Sequence, residues 1–352
     1  MSIRSFSGAT ISSAIAALVA GITFSSGAAM AQETVNIYSY RQPALIKPVL
    51  DAFSEETGIK TEVLFLDKGL DERILAEGAN SPADVILTVD IARLTSAKDK
   101  GITQPVQDET INANIPAEYR DSEGHWVGVT RRGRVVYASA ERVKEEAISY
   151  ADLADPKWKG KICIRSGQND YNLALFGALI AHWGEAKTEE WMKGLKANLA
   201  RKPDGGDRDQ AKAIAAGECD IAVGNTYYIG LMINNEKDPE QKEIAKAIRV
   251  IFPTIDGAGT HVNVSGVALA KHAPNKDAAL KLMTFLTGDK AQEIYAAQGY
   301  EYPVKPGVKA SETVESFGEL KADTLPLTEI AKHRKAASEM VDRVALDDGA
   351  GS

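Results

Sequence analysis

From residue 35 the chain alternates between short apolar runs and amphipathic stretches. Val35–Tyr40 alternates apolar and polar positions, the period of a strand. Pro43 then opens a helix whose apolar side carries Leu45, Ile46, Val49, Leu50 and Phe53, and Gly58 stands where a C-terminal cap glycine belongs. Thr61–Leu66 reads as a second strand and Asp71–Glu77 as a second helix. Ala83–Val89 is a continuous apolar run, as in a strand buried on both faces. Such alternation predicts an α/β chain with mostly parallel sheets and right-handed crossovers.

The pattern loosens over residues 100–125 and resumes in two predicted strands, Trp126–Thr130 and Arg134–Ser139. Lys161–Arg165 is a further strand, followed by a helix through Leu173–Ile180. Asp207 is placed as the cap of a helix over Arg208–Gly217, and Asp220–Gly224 is a strand. Val262–Ala270 is apolar and extended, and helices follow over about 275–287 and 289–298. The charge-rich stretch Asn234–Lys246 reads as a solvated helix face with its preceding loop. At about 150 residues per domain, 352 residues suggest two domains. No repeat or low-complexity linker separates them, which suggests two lobes crossed by the chain more than once.

Residues 1–31 look like an address. Arg4 is the one basic residue before an apolar, small-residue run from Ile11 to Phe24, and Ala29-Met30-Ala31 has the small-x-small form of a signal-peptide cleavage site. No later stretch reaches 18 unbroken apolar residues, so no membrane insertion is expected. Net charge is −8, from 41 Lys+Arg against 49 Asp+Glu, which argues against a nucleic-acid partner. Two cysteines and five histidines leave little for a zinc or histidine-rich site. In an exported chain an isolated cysteine pair favours a disulfide over two buried thiols, but the geometry is not in the sequence.

Ligands of open α/β sheets bind beyond the carboxyl ends of strands, near helix N-termini. The turns at those places hold Tyr40-Arg41-Gln42-Pro43, Ser166 through Asn172 with Tyr171, and Asn225-Thr226-Tyr227-Tyr228; Arg131-Arg132-Gly133-Arg134 opens another strand. Phenols are poor acids at neutral pH, but a small highly charged cation deprotonates its own ligands. Oxygen donors suit a hard ion, and three phenolates match ferric iron. Arginines nearby would grip an anion completing its shell. The plainer readings remain open: tyrosine pairs line half-buried strands or lobe interfaces, and the arginine run suits a solvated surface turn. On residues alone the chain is a secreted, two-lobed ligand binder.

Val35–Pro43, Ser81–Asp90, Arg165-Ser166-Gly167, Ala200–Gln210 and Gly224–Tyr228 together resemble the periplasmic ferric-binding proteins of bacterial iron ABC transporters, along essentially the whole mature chain. The resemblance implies the type II periplasmic-binding-protein fold, with two lobes closing over a cleft. Lobe 1 would comprise 32–132 plus 253–315, and lobe 2 would comprise 133–252 plus 316–352. It implies Fe(III) as cargo, held by Tyr171, Tyr227 and Tyr228, with a synergistic carbonate or bicarbonate at Arg41, Arg132 and Gln42. Where many relatives place a histidine or further tyrosine after the first strand, this chain has Gln42 and Pro43, so the first lobe would reach the iron through the anion. The matched places of Cys163 and Cys219 imply a disulfide within the second lobe. The implied partner is an inner-membrane permease, the location the periplasm and the state a monomer. One rival is a polyamine or sugar binder of the same fold, but these turns lack the carboxylates and stacking aromatics a polyamine needs. A secreted enzyme would need a nucleophile paired with a base, and none is apparent. His261 is placed near a lobe crossing as support for the hinge.

Overall fold

The computed structural model describes residues 32–351; the expected leader over 1–31 lies outside them. Nine strands occur among these residues: β1 (Thr34–Ser39), β2 (Lys60–Phe65), β3 (Val85–Thr88), β4 (Thr103–Gln104), β5 (Val127–Ser139), β6 (Ile162–Cys163), β7 (Ile221–Asn225), β8 (Ile248–Ile251) and β9 (Val262–Ala270). They pair in the order β2-β1-β3-β9-β5-β7-β6, with β4 added on β9 and β8 on β5. Helices pack around them. In helix Pro43–Thr57 the predicted apolar side is the buried one, with Ile46, Val49, Leu50 and Phe53 inside. Each such side chain contributes roughly 1.5–3 kcal/mol when fully buried. Gly58 ends that helix at φ 73°, a left-handed conformation that a side chain would resist.

The two-lobed architecture is produced by one long strand. Residues 127–133 of β5 pair antiparallel with β9, while residues 134–138 pair antiparallel with β7 and 136–139 with β8. β5 therefore changes partners between Gly133 and Arg134, leaving the sheet of β1–β4 and β9 for that of β6–β8. The return connection from β8 to β9 crosses beside it. A third crossing lies at residues 321–323, where Thr260 N–H donates to the Lys321 carbonyl and Asp323 N–H to the Thr260 carbonyl, each at 2.8 Å. The helices that follow, Leu327–Lys332 and Arg334–Val344, pack on helix Asp170–Trp183.

Several expectations change here. The two predicted strands on either side of residue 132 are one strand with an irregularity between Gly128 and Thr130. Arg131-Arg132-Gly133-Arg134 is thus no surface turn: Arg132 and Arg134 are each 2% exposed. Mostly parallel order holds for β1–β2, β1–β3 and β6–β7, but all pairs made by β5 and β9 are antiparallel, because these two strands carry the chain between lobes instead of closing strand–helix–strand units. The strand predicted over 161–165 keeps only β6. Asp207 does not cap its helix; Gly206 does, its N–H bonded to Asp209 Oδ2 at 2.6 Å, and Asp207 is turned inward.

Cys163 and Cys219 form a disulfide with Cα atoms 5.9 Å apart, tying β6 to the residues before β7. It sits in a small apolar cluster with Val135, Tyr137, Ile214 and Ile229, separate from the larger core. A cross-link matters most where the core is small, because it restricts the unfolded chain around a cluster that supplies little burial of its own. The double variant Cys163→Ala/Cys219→Ala is expected to lose roughly 2–4 kcal/mol of unfolding free energy in a urea titration, and equal midpoints would show that the bridge adds nothing.

Candidate metal centre

Tyr171 is the second residue of helix Asp170–Trp183, which Asn169 caps by accepting the Tyr171 N–H at 3.0 Å. Tyr227 and Tyr228 are the second and third residues of helix Thr226–Ile233, which begins where β7 ends. All three phenols therefore stand at helix starts beyond strand ends. The second turn depends on a glycine. A Cβ at Gly224 would lie 2.2 Å from the Tyr137 ring, so only glycine lets β7 cross that ring, whose hydroxyl then donates to the Asn225 carbonyl.

A buried polar network locks these turns together. Asp207 accepts from Arg134 Nη1 at 2.6 Å, from Arg165 Nη1 at 3.2 Å and from the Asn225 N–H at 2.9 Å. Arg134 also donates to the Asn172 side-chain oxygen at 2.7 Å and the Asn225 side-chain oxygen at 3.1 Å. Asn172 closes the network by donating to the carbonyls of Arg165 and Ser166 at 3.1 and 3.0 Å. Asn172 follows Tyr171 and Asn225 precedes the tyrosine pair, so one carboxylate and two guanidinium groups hold both phenol-bearing turns. Arg132, Arg134 and Arg165 place their guanidinium carbons 5.2, 5.9 and 5.1 Å from the Tyr171 ring centroid.

The phenols open onto a cavity of about 430 Å³. Tyr171, Tyr227, Tyr228 and Arg208 line one wall; Tyr40, Arg41, Gln42, Phe65 and Arg93 line the other, with Arg132 between. The Tyr227 and Tyr228 rings lie 4.2 Å apart. Burial, then the nearby Tyr171 phenol, pushes both hydroxyls above the ordinary tyrosine range, Tyr227 most strongly. Both are protonated at neutral pH, so a cation must displace those protons to bind. Among the described residues no group of three His, Cys, Asp or Glu side chains is placed to hold a metal ion.

The residues expected at the anion reach the cavity in different states. Arg132 is buried, with Nη2 donating to the Val89 carbonyl and 3.6 Å from the Asp90 carboxylate. Its Nη1 is buried with no hydrogen-bond partner, a donor left over beside the phenols. Arg41 is different: Glu301 takes its fork at 3.1 and 2.8 Å, and Ser265 Oγ accepts from Nη1 at 2.7 Å. Gln42 is exposed on the cavity wall and spends no side-chain hydrogen bond on capping its helix. Tyr40 is occupied elsewhere: its oxygen accepts from the Leu70 and Asp71 amides at 3.1 and 3.3 Å.

A profile of the bacterial extracellular solute-binding proteins matches residues 80–319. The chain belongs to this family. It is 45% identical to iron uptake protein A1 of Synechocystis sp., over 88% of this chain and 87% of that one. The ferric iron-binding protein A of Mannheimia haemolytica, solved in an open conformation, is 50% identical and superposes with a TM-score of 0.85, covering 90% of this chain and 99% of its own. A Trichodesmium protein solved with iron and citrate ligands is 41% identical, with a TM-score of 0.84 over 89% of this chain and 99% of its own. The fold of these solute-binding proteins is the type II, two-lobed fold described above. No helix among the described residues is long and apolar enough to cross a membrane.

Sequence reasoning missed the supports of the site. Arg134 was within reach, since it lies two residues from Arg132 and so on the same face of a strand. Asn172 and Asn225 gave no signal beyond proximity to the tyrosines, and Asp207 read only as a helix cap. His261 does sit at the crossing: its carbonyl accepts the Arg134 N–H at 3.0 Å and its own N–H donates to Tyr150 Oη at 3.2 Å. Burial, with Arg134 and Arg132 nearby, pushes its imidazole down to about 3.

Two outcomes follow. Asp207→Asn strands two guanidinium groups and is expected to cost roughly 3–5 kcal/mol in urea unfolding; a loss below about 1 kcal/mol would remove the network from its supporting role. His261 stays neutral in the folded chain, whereas the unfolded chain protonates it near 6.5. Its contribution to stability is complete above that pH and is lost as pH falls towards the folded value. The melting temperature of His261→Gln should therefore decline less than wild type between about pH 6.5 and about pH 4, and parallel profiles would refute this.

Proposed function

We propose that this chain is a periplasmic ferric-iron-binding protein that captures Fe(III) in the interlobe cleft and delivers it to an inner-membrane ABC permease. The observation that carries this reading is the convergence of Tyr171, Tyr227 and Tyr228 on one cavity beside the unpartnered Nη1 of Arg132. A hard trivalent ion can displace three phenolic protons, and its remaining positions call for an oxyanion that a guanidinium can hold. Carbonate or bicarbonate at Arg132, assisted by Gln42, is the arrangement we favour. Arg41 shapes the wall through its pair with Glu301 and meets the anion with the one nitrogen, Nε, that has no partner. A cavity of about 430 Å³ also has room for a larger carboxylate, such as the citrate found with iron in the Trichodesmium protein.

The lobes divide, in this reading, at 32–132 plus 253–315 and 133–252 plus 316–352, and close by a hinge motion that the cargo biases. Residues 1–31 act as a cleaved leader, and the mature protein works as a monomer with no catalytic activity. The relatives' names support the cargo and the compartment: they are iron uptake and ferric-binding proteins, and that of Serratia marcescens is named as periplasmic.

The test is a titration of the purified chain with ferric iron and bicarbonate, followed in the visible range. A tyrosinate-to-iron charge-transfer band at one equivalent is expected, and a colourless protein would overturn the assignment. Tyr228→Phe should weaken ferric binding by more than about ten-fold while far-UV circular dichroism stays unchanged, whereas an unaltered affinity would remove Tyr228 from the shell.

A further inference from the structure

The residue before Tyr171 is bonded to the opposite wall of the cavity. Asp170 Oδ2 accepts from Arg93 Nε and Nη2 at 3.3 and 3.1 Å, while Oδ1 accepts from Arg334 Nη2 at 2.5 Å. Its own helix has no need of that carboxylate, because Asn169 already caps it. Arg93 belongs to helix Ile91–Asp99, which follows β3, and its guanidinium carbon lies 4.1 Å from the Tyr40 ring centroid. Tyr40 is in turn anchored at the start of helix Leu70–Glu77. A continuous path thus runs from that helix through Tyr40, Arg93 and Asp170 to Tyr171. The other ion pair on the cavity wall, Arg41–Glu301, is 3% and 1% exposed and joins residues on the β1–β9 side. Arg93 and Asp170 are 28% and 25% exposed and join the two sides. A pair reached by water can break and reform with lobe motion; a fully buried one is costly to open.

We propose that Arg93 is a positioning residue and a closing latch: its ion pair with Asp170 forms across the cleft, sets the helix start that carries Tyr171, and must break before cargo leaves. This rests on the ferric reading for its cargo, but the latch has a cargo-free signature. Lobe closure and the fixing of one phenol become the same event, so the latch acts chiefly on the rate of release.

Four variants test it: Arg93→Gln, Asp170→Asn, the double variant, and Arg93→Lys, which keeps the charge and loses the fork. Iron removal by excess chelator, followed through the charge-transfer band, should run about ten-fold faster in each neutral single variant. The double variant should release no faster than Asp170→Asn, which already loses the Arg93 bond along with that of Arg334. Arg93→Lys should fall between and stands in should Arg93→Gln not fold. The band should keep its wavelength in the Arg93 variants. Unchanged release from Arg93→Gln or Arg93→Lys, multiplicative effects in the double variant, or loss of the band in an Arg93 variant would each overturn the latch. Small-angle scattering of the iron-free proteins separates the two readings. A larger radius of gyration for Arg93→Gln than for wild type supports the latch even if wild type shows no band, and equal radii overturn it.

Discussion

The buried carboxylate of Asp207 is the constraint on which the site depends. Two guanidinium groups, two asparagine side chains and one backbone amide are organised by it, directly or through Arg134. Phenols at helix starts need such a support, because the first turn of a helix lacks internal hydrogen bonds and is free to fray. Here Asn172, next to Tyr171, and Asn225, two residues before Tyr227, are both bonded to Arg134, and Arg134 is held by Asp207. A half-satisfied version would cost more than an apolar core, since each stranded charge keeps its full desolvation penalty. That cost makes the geometry of the turns unique.

The same arginine marks the hinge. β5 changes sheets between Gly133 and Arg134, so Arg132 belongs to the last pairs with β9 and Arg134 to the first pair with β7. Both side chains lie on one face of the strand, over the Tyr171 ring. Motion at the crossing is therefore felt where the anion would bind. Arg132 reaches back to Val89 and Asp90 at the end of β3, while Arg134 reaches forward into the second lobe. Burial raises the Asp90 carboxyl to about 6 against the pull of Arg132.

Periodicity revealed the elements whose chemistry is local. β1, β9 and helix Pro43–Thr57 with its cap glycine appear close to where alternation and cap residues put them. Tyrosines at strand ends were legible for the same reason, as a turn position is a local property. β5 was not, because buried arginines inside a strand look like a solvated break until their partners are known. Those partners are distant: Asp207 lies 73 residues from Arg134, and Glu301 lies 260 from Arg41. No window on a single sequence joins them. Arg41 shows this most plainly, since nothing near it in the sequence announces that Glu301 takes its fork.

Electrostatics then decides what kind of cargo the proposed site favours. Net charge over the chain is −8, yet Arg41, Arg93, Arg132 and Arg208 all line the cavity, against Glu301 and Asp67. The Glu301 and Asp170 carboxylates are taken up by Arg41 and Arg93, so an entering cation must create its own negative ligands. It does so by expelling phenolic protons, and Tyr227 and Tyr228 hold theirs more tightly than free tyrosines do. The work needed grows with each phenol deprotonated, and only an ion of high charge density recovers it. Three phenolates neutralise a trivalent ion, which leaves the unpartnered donor of Arg132 to be met by a separate anion. A divalent ion would either leave a phenol protonated or leave an excess negative charge in a buried place. In the proposed site the arginines would act on selectivity by favouring the anion that completes the shell of such an ion.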